Sequence, residues 1–382
     1  MVNHLHENME KNEYTFGLFL DYQKAFDTVS HNILLDKLKH YGIRGVANQW
    51  LRSYLTDRLQ YTTVNGVKSD VQPVKCGVPQ GSILGPLLFI LFINDMYSVS
   101  PSSKFVLYAD DTNMFISDKS LDTLESKSNQ ELRLITEWTI ANRLSINVKK
   151  TMYMIFQPHK AKHSQEMDIC LANTTLKRVE VTKFLGMMVD ENLTWKEHVS
   201  MIAKKVSKSV GLLCKARKLL SGTDLMPLYY AYIYSYLTYA LPVWGNAPKV
   251  LIHSVLKSQK RAVRIISCIK RLESITSAFI NLKMLQLPDL YKYTVMLFMY
   301  KSVHGLMPSQ FNGYYVKRNE TTTVETRQSQ DYNLPKFTKP KTQNNIKKMG
   351  VEIWKKYVKD DTFDISISDF KQNLIRRLTE IN

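Results

Sequence analysis

Residues 105–116, FVLYADDTNMFI, set Asp110 and Asp111 between two short apolar runs. Such runs around so brief a polar break predict a β-hairpin with both carboxylates at its tip. Adjacent carboxylates there repel each other unless a cation neutralises both, and a solvated acidic turn is the plain alternative. A hard divalent ion such as Mg²⁺ takes oxygen ligands, and phosphoryl transfer between nucleotides uses two such ions. A pair of ions needs a further carboxylate. YTFGLFL, residues 14–20, reads as a buried strand ending in Asp21, and a neighbouring strand would bring that carboxylate beside the hairpin tip.

Outward from this pair, HNILLDKLKHYG (31–42) has the apolar spacing of a helix with a glycine stop, and Gln49–Leu59 resembles it. Asn65-Gly66 between alternating runs predicts a second hairpin. The almost wholly apolar Ile83–Ile93 predicts a buried helix, and apolar positions 121, 124, 132, 135 and 138 predict a helix over 121–142. LSINVKKTMYMIF (144–156) reads as a turn into a strand, and Phe184–Val189 as another strand. From Trp195 the signal is helical. Within a helix predicted near 251–269, Lys257, Lys260, Arg261 and Arg264 fall at i, i+3, i+4 and i+7, one cationic stripe that suits either a phosphate track or a solvated face. The polar stretch 313–345 reads as a flexible linker before a helical tail at 346–382.

The chain has 382 residues, 44% of them hydrophobic, enough for a sizeable core in two or three folding units. Its formal charge of +18 calls for an anionic partner, nucleic acid or a membrane surface. Residues 196–270 hold 13 Lys and Arg against two acids. Four scattered cysteines exclude a disulfide framework and a paired zinc motif, which implies a reducing compartment. The charged N-terminus lacks the apolar core of a secretion signal, so an intracellular protein, nuclear or cytoplasmic, is expected. Leu225–Pro248 is uncharged over 24 residues, but its six tyrosines and two internal prolines predict a buried helix rather than a membrane span.

The motifs LFLDYQKAFDTVSH (18–31), GVPQGSILGPLLFILFINDM (77–96), YADDT (108–112), LSINVKKT (144–151) and KFLGMMVD (183–190) together resemble reverse transcriptases of LINE-like retrotransposons, in the same order and spacing. A looser likeness to the Jockey-type branch, in YIYSYLTYALPVWG and LKSQKRAVRII, extends to about residue 360. The resemblance implies an α+β fold: a right-hand polymerase palm, an antiparallel sheet with helices, over residues 1–190, then a mainly α-helical, basic thumb-like region over 191–312. It implies RNA-directed DNA synthesis on an RNA template and DNA primer from deoxynucleoside triphosphates, with two Mg²⁺ ions, or Mn²⁺ in their place. Asp21, Asp110 and Asp111 would hold the metals, and Lys150 would serve the leaving pyrophosphate. Phe26 would be the steric gate against ribose, with Gln80 and Gly81 beside the incoming nucleotide and Gly77 allowing close backbone approach. Phe184, Leu185 and Gly186 would form the primer grip. Lys257, Lys260, Arg261 and Arg264 would track nucleic-acid phosphates. Asp27 and Asp95 also match family positions and suit helix capping equally well.

Complete enzymes of this family carry fingers upstream of the Asp21 strand, with basic residues for the triphosphate, and this sequence starts 20 residues before Asp21. The expectation is a truncated reading frame without endonuclease or cysteine-histidine knuckle. The rival to an active polymerase is a catalytically incompetent element that still binds nucleic acid non-specifically. A membrane-associated protein is the third reading.

Overall fold

In YTFGLFL every residue after Tyr14 is buried, so β1 (Tyr14–Leu20) is apolar on both faces and can only be a central strand. The computed structural model describes residues 1–158, 167–270, 273–320, 331–358 and 365–380. In it β1 is flanked on one side by β2 (Lys104–Tyr108) and β3 (Asp111–Asp118), and on the other by β4 (Met152–Phe156) and β5 (Lys177–Arg178). The sheet order is β5-β4-β1-β3-β2, antiparallel except for the parallel β5–β4 edge. The chain divides into two compact units: residues 11–180 with Met1, and residues 181–382 with the helix Val2–Glu10.

In the first unit, alternation along β1 sends Phe16, Leu18 and Leu20 to one face, into a core shared with the helices His31–His40, Leu84–Ile93 and Leu121–Ala141. Leu34, Leu35, Phe89, Phe92, Leu132 and Ile135 complete that core, each 0% exposed. Full burial of one such side chain stabilises by about 1.5–3 kcal/mol, so the helices are bound to the sheet by area rather than by propensity. The first unit is therefore α+β. Asn65 and Gly66, at φ +50° and +83°, close the hairpin Thr63–Val64/Val67–Lys68, as two left-handed turn residues should.

The second unit opens with a hairpin where a single strand was expected over 184–189. β6 (Val181–Phe184) turns through Leu185-Gly186 into β7 (Met187–Asp190), with φ of +44° and +80° at the turn. The apolar run masked a glycine turn. Asp190 then accepts from the backbone N–H groups of Thr194 (3.0 Å) and Trp195 (2.9 Å) and starts the helix Lys196–Ala216. That helix packs on Lys249–Ser267, which buries Ile252, Val255, Gln259, Ala262 and Ile266 along one stripe. The uncharged segment forms short helices at Met226–Tyr229, Ser235–Thr238 and Leu241–Trp244, with a π-helical turn at Tyr230–Tyr234 and a break at Ala240, φ +51°. Among the described residues no helix is long and apolar enough to cross a membrane.

Of the expected flexible linker, residues 321–330 lie outside the described residues. The rest departs from expectation, because polar side chains there have specific partners. Glu10 accepts from the backbone N–H of Thr338 (2.8 Å) and of Lys339 (3.0 Å), and Thr342 and Asn345 are 0% exposed. The helices Ile346–Tyr357 and Ile367–Glu380 follow, joined to Leu287–Val303 through stacked Tyr300, Phe370 and Trp354.

His6 and His198 are both buried in this unit, and burial pushes each imidazole from about 6.5 down to about 4. For His6, Glu10 and Glu7 oppose the shift; for His198, Lys205 adds to it. The unfolded chain therefore takes up protons near pH 6.5 that the folded unit refuses until near pH 4, so stability is lost as pH falls through that window. The melting temperature is expected to drop between pH 6.5 and 4, and a His6→Asn, His198→Gln variant to show a flatter profile. A wild-type melting temperature constant over that range would contradict this.

Candidate active site

The hairpin β2–β3 closes with Tyr108 paired to Asp111, leaving Ala109-Asp110 as a two-residue loop with Ala109 at φ +51°. On the other edge of β3, Leu20 pairs with Thr112, so the next position brings Asp21 to the level of Asp111. Strand register thus delivers Asp21, Asp110 and Asp111 to one end of the sheet. Asp110 and Asp111 are exposed and Asp21 is half-buried. As an all-oxygen donor set they suit a hard cation such as Mg²⁺. Among the described residues no three Asp, Glu, His or Cys side chains are already drawn together tightly enough to cage a metal.

Asp21 is fixed through its backbone. Its N–H donates to Thr151 Oγ1 (3.2 Å), and its carbonyl accepts from the Asn147 N–H (2.8 Å). Gln23 and Ser145 add a 2.8 Å bond, and Tyr22 bridges Ile146. The turn 147–151 that buttresses Asp21 carries the exposed Lys150. Lys150 carries a sequence signal, whereas Thr151 and Asn147 carry none, because their partner Asp21 lies about 130 residues away and leaves no local pattern.

Phe26, half-buried in the 3₁₀ turn Ala25–Asp27, lies against Phe89 with ring centroids 4.5 Å apart. The loop 77–80 docks beside it. The Val78 N–H donates to Phe26 O and the Gly77 N–H to Val29 O, both at 2.8 Å, and His31 Nε2 bonds Gly77 O at 2.7 Å. Gln80 Nε2 donates to Asp27 Oδ1 at 2.8 Å. Asp27 is therefore the partner of Gln80 rather than a cap, and Asp95 pairs with Lys37 at 2.6 Å. Gly81, at φ +80°, is exposed at the end of this loop.

In the second unit Phe184 is buried, while the half-buried Leu185 and the exposed Gly186 form the turn. Tyr239 donates its hydroxyl to Leu185 O at 2.5 Å, its ring 3.5 Å from where a Cβ on Gly186 would stand. Trp244 Nε1 holds Tyr239 O at 2.8 Å. The tyrosine segment thus braces this turn, a role its composition alone did not reveal. Tyr239→Phe removes one hydrogen bond, about 1 kcal/mol, and is expected to lower stability by that amount while retaining fold. Chemical denaturation checks it, and an unchanged midpoint would contradict the bracing role.

Of the cationic stripe, Lys257, Arg261 and Arg264 line a cleft of about 820 Å³ with Arg217 from the end of the preceding long helix; Lys260 stands outside that lining. Arg217 bonds Leu220 O, and Arg264 bonds Glu273 O. Among the described residues the buried Nε of Arg264 has no hydrogen-bond partner.

Residues 1–189 match the family model described as reverse transcriptase (RNA-dependent DNA polymerase). The chain is 30% identical over 278 residues to the RNA-directed DNA polymerase from mobile element jockey of Drosophila melanogaster, covering 70% of this chain and 30% of that protein. It is 28% identical over 286 residues to the probable RNA-directed DNA polymerase from transposon BS of the same organism, with the same coverage. Among solved structures it is similar to a telomerase from Candida albicans in complex with a TWJ fragment of telomeric RNA, with a TM-score of 0.40 and 12% identity over 76% of this chain and 46% of that one. The chain spans about 30% of the length of the curated relatives it matches. On that match and those relatives, the chain belongs to the reverse transcriptase (RNA-dependent DNA polymerase) family of mobile elements, with its family domain at residues 1–189.

Proposed function

We propose that this chain is the palm and thumb of a retrotransposon RNA-directed DNA polymerase. The observation that carries the reading is the strand register that brings Asp21, Asp110 and Asp111 to one sheet end. The reaction is in-line attack of a primer 3′-oxygen on the α-phosphate of a deoxynucleoside triphosphate, with pyrophosphate leaving. Asp21, Asp110 and Asp111 would hold two Mg²⁺ ions, which when bound supply charge stabilisation to the attacking and leaving oxygens.

The other roles fall to the chain's own side chains. Phe26, seated on Phe89, presents a fixed edge against a ribose 2′-hydroxyl. Gln80, oriented by Asp27, flanks the nucleotide with Gly81, and Lys150 faces the departing pyrophosphate. The Phe184–Gly186 turn steadies the primer end, and Lys257, Lys260, Arg261 and Arg264 take phosphates of template and primer.

Primer extension on an RNA template in Mg²⁺ tests this. DNA synthesis should stop on chelation with EDTA and resume when Mg²⁺ is restored. Synthesis that persists in EDTA would sink the metal roles. No synthesis beside salt-sensitive RNA binding would favour the rival, a binding module alone, which the Arg217, Lys257, Arg261 and Arg264 cleft would also support.

A further inference from the structure

The sequence scatters its four cysteines, and the fold gives their sulfurs opposite electrostatic surroundings. Cys76, Cys170 and Cys268 are exposed, and Cys214 is half-buried. Cys170 Sγ lies 3.7 Å from an Asp168 carboxylate oxygen, an anionic neighbour. Cys268 Sγ instead accepts from the Arg217 guanidinium, and among the described residues it is the one cysteine sulfur bonded to a cation.

Local structure sets this position. Cys268 ends the helix Lys249–Ser267 at φ +56°, its N–H donating to Arg264 O. Lys257, Arg261 and Arg264 precede it on the same face of that helix. Arg217 ends the helix Lys196–Ala216, with Cys214 one turn before it. All six side chains line the cleft of about 820 Å³, and no acidic residue lines it with them. The helix end places about half a negative charge near the sulfur, against four cationic side chains, so the field in the cleft is positive.

These cations are not spent on acids. Among the described ion pairs none of Arg217, Lys257, Arg261 and Arg264 has a carboxylate partner, and the buried Nε of Arg264 has no hydrogen-bond partner among the described residues. Guanidinium groups with donors to spare suit carboxylates. A solvated or phosphate-binding face needs the cations but gives no reason for an exposed thiol held by one of them. A small disulfide that carries carboxylates uses both, since reactive thiols are those exposed in electropositive surroundings.

We propose that Cys268 is a modification site for small anionic disulfides of the glutathione class, whose carboxylates dock on Lys257, Arg261 and Arg264. The Cys268 thiolate attacks one sulfur of the disulfide, the S–S bond breaks and a mixed disulfide forms. The other half leaves as a thiolate and takes up the proton that Cys268 released. Cys268 is thereby oxidised and the departing half reduced, with the disulfide itself as the oxidant. The adduct sets carboxylates among side chains assigned above to template and primer phosphates. That consequence rests on the polymerase reading, whereas the exchange itself does not, and its test uses neither primer nor nucleotide.

The experiment incubates the full chain with glutathione disulfide, and separately with the dicationic disulfide cystamine, and follows the adduct at each cysteine by peptide mass spectrometry. Cys268 is expected to take up glutathione about 10-fold faster than Cys170, an advantage that fades as salt is raised toward about 1 M. Cystamine should reverse that order, because Asp168 attracts it and the cleft repels it. Lys257→Gln with Arg261→Gln should slow glutathione uptake at Cys268 by about 10-fold and speed cystamine uptake. An unfolded cleft would expose Cys268 to both reagents alike, so opposite changes separate lost charge from lost fold. The inference is overturned if glutathione modifies Cys170 as fast as Cys268, or if the glutamine pair leaves both rates unchanged. It is equally overturned if the adduct in this cleft sits on Cys214.

Discussion

Gly77→Ala is expected to destabilise the first unit by about 3 kcal/mol and to dislodge the loop that carries Gln80. Gly77 sits at φ +89°, where a side chain is strained, and an added Cβ would stand 2.8 Å from Asp27 O and 2.9 Å from Asp27 Cα. Backbone atoms cannot rotate out of the way, so the loop must leave Asp27, breaking the bonds from Gly77 to Val29 O and from Val78 to Phe26 O. Gly81→Ala is the matched control. Its φ of +80° carries the same strain, but no atom of the described residues lies within 4 Å of the added Cβ, so only about 1 kcal/mol is expected. Urea denaturation of both variants measures the difference, and equal effects at 77 and 81 would remove the close approach to Asp27 as the cause.

If Asp21 holds metal as proposed, Asp21→Asn is expected to cost DNA synthesis on the order of 10³-fold while leaving the fold intact, since a charged metal ligand supplies several kcal/mol to the transition state. Folding survives because Asp21 is anchored through its N–H to Thr151 and its carbonyl to Asn147, neither of which the substitution touches. Neutralising one carboxylate near Asp111 also relieves repulsion, so stability should hold or rise while activity falls. Extension rates and melting curves on one preparation test both halves. A variant that unfolds would mean the side chain is structural.

Much of the first unit was legible because its signals are local. The strand 14–20, the helices after Ser30 and Leu121, and the Asn65-Gly66 turn depend on period, capping and backbone dihedrals that short windows contain. The carboxylate pair at 110–111 was legible for the same reason, since two apolar runs and a two-residue break already imply a hairpin tip.

What stayed hidden depends on partners distant in sequence. Asp27 could not be told from a cap until Gln80, 53 residues on, was found bonded to it. Tyr239 was one tyrosine of six until its hydroxyl met Leu185 O, 54 residues back. Residues 331–345 read as a linker because polar composition lacks a periodic apolar signal, yet Glu10, 328 residues away from Thr338, accepts from the backbone N–H groups of Thr338 and Lys339. Hydrogen bonds between polar groups can order a segment as firmly as apolar burial, and composition does not distinguish the bonded from the solvated.

The polymerase activity proposed for this chain rests on Asp21, Asp110 and Asp111 meeting at one sheet end. Its most direct test is extension of a DNA primer on an RNA template with Mg²⁺ and four deoxynucleotides, comparing the wild type with Asp110→Ala, Asp111→Ala. Extension by the wild type that is lost in a folded double variant is the expected result. Equal extension by both proteins, or none by a folded wild type that still binds the primer–template, would contradict it.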